Sequence, residues 1–541
     1  MNPNIDASRE ALVLPVSSAQ NGRSVDASVV VASRVGSTRL ANGALLSVAA
    51  LIFVLPNAIF AFGLKAAPAA ALLLGCALAA YVITRRPTSG ALLLSAAVDA
   101  RLLAGCGALA LALCLLGGEG HFFYANADWL VRDSVLADLV THGYPVGYHY
   151  DNQDYLLRAP LGMYLAPALV GQLFGLYAAH MALLAQNAIA LSLMLYLLAK
   201  IAAVRSLPFL ALFVLFSGLD IVPVFVVETT RLLQSKEFLS FSHIEWWGRY
   251  WWDIPLQYSS HITQLFWVPN HMLPGWWFAT LTLLYLRKEV DIAILIVAFA
   301  ALLLWSPLSM LGAAPFLAVF GLRLFPRGLF ERRILIAAAG ALLFIPVALY
   351  LTVDAGAVAH QFLPGVAGFG ALFVVFLLVE IPQSAVIAIG WKKIEACDRW
   401  LIAGAIALLV VIPVYSFGPS NDFAMRASIM PLFLLAYGFS RIAVLTPRDN
   451  SAFPTFISVL VILSFATPMI EFKRELLPAY AISDCNLLTA WLKSDPTILP
   501  TNYWARVEKV PAWLTPVSAS PLGLEIRQCW PDHPLLREGM K

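Results

Sequence analysis

Long apolar runs recur along this 541-residue chain, and short polar loops separate them. A run of roughly 17 to 25 apolar residues is long enough to cross a bilayer as a helix. Because every backbone polar group inside a bilayer must be bonded within the protein, helices are expected in all of these runs. The pattern predicts an all-α polytopic membrane protein of about thirteen transmembrane helices, at 43–63, 67–84, 100–117, 178–199, 207–226, 267–286, 290–306, 308–322, 334–352, 368–390, 400–416, 428–446 and 453–470.

Basic residues mark every second loop between these runs. Short loops rich in Lys and Arg stay in the cytoplasm, so this alternation predicts a cytoplasmic N-terminus and an external C-terminus. The segment 158–175 is long enough to cross, but a crossing there would place the later basic loops outside. It is therefore expected to lie on the membrane surface. The basic positions are Arg85 and Arg86, Lys200 and Arg205, Arg287 and Lys288, 323–333, 392–399 and 441–448.

The two ends of the chain differ from the apolar middle. Residues 1–42 are rich in Ser, Ala and Val and are expected to form a cytoplasmic tail, followed by a membrane domain over 43–470. Residues 471–541 carry several prolines and tryptophans with balanced charge, which predicts a small external domain. Cys485 and Cys529 are its two cysteines, and outside the cytoplasm they could form a disulfide or remain as two thiols.

Composition supports the membrane assignment and excludes other classes. The chain is 60% hydrophobic and only 12% charged, with a mean hydropathy of +0.79. These values lie far from those of soluble domains. A net charge of +3, spread over many loops, indicates no nucleic-acid partner. A bacterial inner membrane is the expected location.

Polar chemistry is concentrated in three external regions, at about 118–177, 228–266 and 417–427, which are expected to converge on one face of the membrane. In the first region, Asp128, Asp133 and Asp138 lie five residues apart. Five residues turn an α-helix by about 140°, so the three carboxylates cannot share one face. Asp128 precedes an amphipathic stretch that would hold it at the membrane surface. Asp138 is expected to be solvated.

The second region alternates tryptophans with polar side chains. An interfacial aromatic belt would account for the tryptophans alone. The polar residues between them also suit stacking on a sugar and recognition of its hydroxyl groups. In the third region, Arg426 could simply pair with Asp422, but an arginine at the outer end of a helix often has an anionic ligand.

The order of these features resembles the start of the GT-C superfamily of membrane glycosyltransferases. The stretch "RAPLGMYLAPALVGQLFG" is similar to the protein O-mannosyltransferase and aminoarabinose-transferase branch, through Pro160, Tyr164 and the run Leu173, Phe174, Gly175. The resemblance is detailed only over residues 100–205, and elsewhere it is one of topology. The chain differs from that branch where Trp129 follows Asp128 and Ala159 precedes Pro160. The resemblance implies a polyprenyl-phosphate sugar as donor and a glycan, lipid or protein as acceptor.

Such a transfer requires a carboxylate that takes the proton of the acceptor hydroxyl, and cations that hold the departing phosphate. Asp128 is the expected base and Asp133 the reserve. Carboxylates of this loop could bind Mg²⁺ or Mn²⁺, but no ligand spacing requires a metal, so none is assigned. The expected phosphate ligands are Arg426, Arg249 and Arg158, and the expected substrate contacts are His243, Glu245, His261, Gln264, His271 and Asp422.

Two other classes of membrane protein account for fewer of these sequence features. A transporter would place ionisable residues near the bilayer midplane and repeat its halves. An O-antigen polymerase or ligase would also use large external loops with Arg and His, but the early acidic loop favours a transferase. The sequence identifies neither the sugar, the acceptor nor the polyprenyl length.

Overall fold

The computed structural model describes residues 40–85, 92–235, 243–252, 254–326, 328–418, 420–449, 451–494, 499–516, 520–526 and 529–530. Several sequence-based predictions lie outside this part of the chain. They concern residues 1–39 of the tail, Arg86, residues 236–242 of the second external region and residues 531–541.

Helices dominate the described residues. They are α1 Asn42–Ala61, α2 Ala66–Thr84, α3 Leu92–Ser95, α4 Ala100–Leu116, α5 Ala127–His142, α6 Leu165–Phe174, α7 Leu176–Ala202, α8 Ser206–Val214, α9 Ile221–Ser235, α10 Trp247–Trp252, α11 His261–Trp267, α12 Pro269–Leu286, α13 Ile292–Leu302, α14 Pro307–Leu324, α15 Arg332–Leu342, α16 Ile345–Thr352, α17 Phe369–Glu380, α18 Gln383–Ile389, α19 Ala396–Val411, α20 Asp422–Ala427, α21 Ile429–Leu445, α22 Ala452–Ser464, α23 Ala466–Glu475 and α24 Leu487–Ser494. The strands are β1 Gly147–Tyr150, β2 Gln153–Leu157, β3 His360–Phe362, β4 Tyr415–Phe417 and β5 Trp504–Arg506.

Every one of the thirteen predicted apolar segments contains helix, as expected of a helical membrane protein. By length and apolar composition, seven helical stretches of the described chain could span a membrane, or eight if α17 and α18, bent by 64°, form one span. The predicted segment 207–226 is interrupted between α8 and α9. Thirteen crossings therefore remain a prediction. The seven stretches are Asn42–Ala61, Ala66–Thr84, Leu176–Ala202, Pro307–Leu324, Arg332–Ala357, Ala396–Val414 and Ala452–Glu475.

Ion pairs tie several of the basic loops to one another. Arg287, at the end of α12, donates to Asp398 of α19 at 2.8 Å and to Glu395 at 3.1 Å. Arg441 of α21 donates to Glu395 at 2.6 Å and to the carbonyl of Ala202 at 2.9 Å. Loops that the charge alternation assigns to one side of the membrane thus lie together. The 17 residues of α21 span ~25 Å, and the cavity described below adjoins the other end of that helix.

The C-terminal segment is not the separate domain that the sequence suggested. Strand β5 completes an antiparallel sheet with β2 and β1 of the first external region, where Leu156 pairs with Ala505. Helix α24 packs on α5, and the whole described chain forms one compact unit. Cys485 and Cys529 form a disulfide, so the pairing that the sequence left open is present.

Candidate functional site

A cavity of about 240 Å³ joins the three external regions and the C-terminal segment. The convergence expected from the sequence is present in the structure. Carboxylates, arginines and aromatic rings share its wall, so it offers charge and ring-stacking surfaces at one place. Its lining residues are Asp128, Val131, His243, Ile244, Glu245, Trp246, Gln257, Ser259, Thr263, Trp267, Val268, Ser420, Asp422, Met425, Arg426, Glu471, Arg474, Trp491, Asn502 and Tyr503.

Helix α5 carries Asp128 to this cavity in its first turn. Asn126 caps the helix, and its side-chain oxygen accepts from the backbone N–H of Asp128 at 3.1 Å. The Asn126 amide in turn donates to the carbonyl of Phe266, which fixes the start of α5 against α11. A carboxylate in the first turn of a helix is favoured by the helix dipole. The local sequence thus both starts the helix and places the acid.

The Asp128 carboxylate is held by an arginine that sequence analysis did not single out. Arg132, one turn further along α5, donates to Asp128 Oδ2 at 2.9 Å. The Arg132 side chain is 3% exposed and that of Asp128 is 42% exposed. Arg132 also lies against the ring of Trp129, 5.5 Å from its centroid. A buried cation therefore orients a carboxylate that remains accessible from the cavity.

The third region contributes a second acid and arginine pair. Arg426 pairs with Asp422 one turn earlier in α20, as the simpler interpretation of the sequence predicted. Gly418 adopts a left-handed φ of 87°, and a Cβ there would lie 2.4 Å from the Asp422 carboxylate. Asn421 then caps α20 through its side chain. The tight turn after β4 therefore needs glycine to bring both charges to the cavity.

Of the second-region residues predicted to bind substrate, Glu245 and His243 line the cavity. Glu245 Oε1 accepts from the N–H of Ser260 and the hydroxyl of Thr263, both at 2.8 Å. Burial, with the charges of Asp220 and Glu471, raises the pKa of Glu245. Burial and the nearby Arg474 lower the pKa of His243 to about 4. Both shifts favour the neutral form of the side chain.

Sequence analysis missed the contribution of α23 and the C-terminal segment. Arg474 donates to Glu471 at 2.5 Å, and its guanidinium lies 5.1 Å from the ring centroid of Trp267. The indole N–H of Trp267 also donates to Glu471, at 2.7 Å. Arg474 follows the last predicted span, so it shares the signal that singled out Arg426, an arginine just beyond the predicted outer end of an apolar run.

Five other predicted ligands are not part of the cavity lining. Buried Arg158 donates to the carbonyls of Thr501 and Trp504, so it ties the C-terminal segment to β2. Exposed Arg249 lies over Trp246 in a neighbouring depression. The remaining three are buried packing residues: His261 bonds the Phe213 carbonyl, Gln264 bonds Ser259 and Trp276, and His271 bonds Ser306.

The other two aspartates of α5 are buried, and neither lines the cavity. Asp133, the predicted reserve base, is enclosed beside His121 and His180. The expectation that Asp138 is solvated is wrong. Its residue is 3% exposed, and its Oδ2 accepts from the Tyr148 hydroxyl at 2.7 Å and the Leu487 N–H at 2.9 Å. The three aspartates do point to different sides of α5, but the sides that carry Asp133 and Asp138 pack against protein and not against water.

Comparison of the sequence with models of protein families and with curated proteins, and of the fold with solved structures, returned no match.

Proposed function

We propose that this chain is a membrane glycosyltransferase that moves a sugar from a polyprenyl-phosphate donor to a hydroxyl of a glycan, lipid or protein acceptor. The observation that carries the proposal is the accessible Asp128 carboxylate, held by Arg132 in a cavity that also contains Arg426, Arg474 and several tryptophans. The GT-C resemblance of residues 100–205 supports the same class of reaction.

The reaction places each charged group in a definite role. The acceptor oxygen attacks the anomeric carbon of the donor sugar while the bond from that carbon to the phosphate oxygen breaks. The electron pair leaves with the phosphate, and Asp128 takes the proton of the acceptor hydroxyl. Arg426 and Arg474 stabilise the departing phosphate through charge-assisted hydrogen bonds. Each guanidinium has five N–H donors, so a carboxylate partner does not exhaust it.

The charge balance of the cavity favours one phosphate over a diphosphate. Asp128, Asp422 and Glu471 each pair with an arginine, namely Arg132, Arg426 and Arg474. Burial and the neighbouring acids raise the pKa of Glu245, the fourth acid of the wall, which favours its neutral form. The wall is thus close to neutral, which suits a singly charged phosphodiester better than a more highly charged diphosphate. A nearly neutral wall therefore favours a transferase over an O-antigen polymerase or ligase that uses diphosphate carriers.

The aromatic side chains suit a sugar substrate. Trp246, Trp267, Trp491 and Tyr503 line the cavity from three different segments of the chain. Pockets for organic ligands are typically lined by aromatic rings with a few polar groups that fix orientation. The rings offer flat surfaces for the apolar faces of a pyranose, and Asn502 and Gln257 offer amides to its hydroxyl groups.

Mass spectrometry of a strain lacking the gene tests the proposal. Without the protein, a sugar should be missing from one envelope glycan, glycolipid or glycoprotein, and the corresponding polyprenyl-phosphate sugar should accumulate. The wild-type gene should reverse both changes. So should the Asp154→Asn variant, because Asp154 is an exposed acid of the same loop that pairs with His149. Unchanged envelope sugars together with unchanged lipid-linked sugars would overturn the proposal.

A further inference from the structure

Two histidines and an aspartate form a buried cluster next to the candidate site. His121 Nε2 lies 2.8 Å from Asp133 Oδ2, and His180 Nδ1 lies 4.0 Å from Asp133 Oδ1. All three side chains are buried, with exposed fractions of 5% for His121, 0% for Asp133 and 1% for His180. One ligand atom from each residue can be chosen so that all three lie within 4.8 Å of one another. Potential ligand atoms of three side chains thus lie close enough together to contact one ion.

Three separate segments deliver these side chains. Asp133 is on α5, five residues after Asp128 and so about 140° around the helix from it. His180 is in the first turns of α7. His121 ends a short turn in which Gly118, Gly120 and His121 itself have left-handed φ values of 87°, 78° and 58°. Non-glycine residues seldom adopt that conformation, so the fold holds the His121 ring in place against a local preference.

The hydrogen bonds of the cluster leave a lone pair directed at the carboxylate. His121 Nδ1 lies 3.2 Å from the carbonyl oxygen of Tyr480, and a carbonyl only accepts, so Nδ1 carries the proton. In the neutral ring, Nε2 is then an acceptor that faces Asp133 Oδ2. Four buried atoms of the cluster have no hydrogen bond of good geometry to any of the described residues. They are the two carboxylate oxygens of Asp133 and the Nε2 atoms of His121 and His180. Two such atoms at this distance need either a proton or a metal ion between them.

We propose that His121, Asp133 and His180 bind one divalent transition-metal ion of the zinc class. A tetrahedral ion with ~2.1 Å ligand bonds separates its ligand atoms by ~3.4 Å, and the distances in the cluster bracket that value. Two imidazoles with one carboxylate suit zinc and its neighbours, whereas Mg²⁺ takes oxygen ligands. The bond from His121 Nδ1 to a backbone carbonyl is the usual outer contact of a metal-binding histidine.

With three protein ligands, a tetrahedral ion takes water in its fourth position, and it would still tie three segments of the chain together. It joins α5, the start of α7 and the 119–121 turn, and α5 also carries Asp128. Binding would therefore stabilise the helix on which the candidate base lies. The site does not depend on the proposed transferase activity, since neither sugar nor phosphate contacts are involved in it.

Metal content of the purified full-length protein tests the site. After treatment with chelator, incubation with Zn²⁺ and removal of free metal, the wild type should hold about one ion per chain. Zn²⁺ should also raise its melting temperature, and excess Mg²⁺ should not compete. The Asp133→Asn and His180→Ala variants should bind Zn²⁺ more weakly by over about 100-fold, because each loses a direct ligand.

The His149→Ala variant is the matched control. His149 and Asp154 form a similar pair in the same external region, but both side chains are about half exposed, at 52% and 51%. That variant should bind Zn²⁺ as tightly as the wild type. All of these variants keep every cysteine of the chain. If the ligand variants fail to fold, Co²⁺ added to the wild type still decides the matter through its tetrahedral absorption bands. A wild type that holds no more metal than His180→Ala, or that gives no Co²⁺ spectrum, would mean that a proton occupies the cluster and would overturn the proposal.

Discussion

Asp128 and Asp138 are two aspartates on one helix with opposite surroundings. Asp128 is accessible in the cavity and paired with a buried arginine. Asp138 is buried, accepts two hydrogen bonds and joins α5 to β1 and α24. Within α5, the direction of the side chain decides whether a carboxylate opens to the cavity or holds the fold together. Substitutions at each aspartate separate these two environments.

The largest expected effect is that of Asp128→Asn on catalysis. Asparagine keeps an oxygen that accepts from Arg132 but cannot take a proton, so transfer should fall by about 10²-fold or more. The melting temperature and donor binding should stay close to those of the wild type. Radiolabelled polyprenyl-phosphate sugar and protein reconstituted in liposomes would measure this, with Asp154→Asn as the control. Full activity of Asp128→Asn would show that the accessible carboxylate is not the base.

The Asp138→Ala variant should instead unfold more easily than the wild type, with no direct effect on the transfer reaction. The hydroxyl of Tyr148 and the N–H of Leu487 would both lose their acceptor in a buried place, which costs about 2–4 kcal/mol of unfolding free energy. Asp138→Asn keeps an acceptor oxygen and should lose much less. Thermal unfolding in detergent would measure both variants. Equal stability of Asp138→Ala and wild type would contradict the role of Asp138 as a link.

The smallest expected effect is a pH dependence that Asp138 imposes. Burial raises the pKa of Asp138 to about 7 although Tyr148 and Leu487 donate to it. The folded state therefore favours the protonated acid, and this contribution to stability is complete below the ordinary pKa of 3.8 and is lost as the pH rises through about 7. Between pH 5 and pH 8 the wild type should lose up to about 2.7 kcal/mol of unfolding free energy that Asp138→Asn keeps, since two pH units separate pH 5 from the folded pKa and each is worth about 1.36 kcal/mol. Melting temperatures measured across this range would report the loss. Parallel pH profiles would count against a protonated Asp138.

The sequence predicted most of the helices because long apolar runs have few alternatives in a bilayer. It predicted Asp128, Arg426, Asp422, His243 and Glu245 at the cavity because charges next to helix ends at a membrane surface are few. The breaks between α8 and α9 and between α17 and α18 were missed, since apolar composition continues through them.

Burial of Asp133 and Asp138 could not be predicted from their own surroundings in the sequence. Both are in an amphipathic stretch, and a helix on a membrane surface normally turns its carboxylates to water. Leu487, which donates to Asp138, is 349 residues further along the chain. The contribution of Arg474 and Tyr503 to the cavity was missed for a similar reason, because the C-terminal segment was treated as a separate domain.

The pairing of β5 with β2 has a consequence for biosynthesis. Five of the seven candidate spans of the described chain are synthesised after Leu156 and before its partner Ala505. Trp491, Asn502 and Tyr503 reach the cavity wall only with that last segment. A ribosome that stops after the final span would leave a membrane-inserted chain whose cavity lacks one wall. Maturation of the pocket is therefore a post-insertion event, and nascent chains stay without a complete binding surface until their C-terminal end has docked.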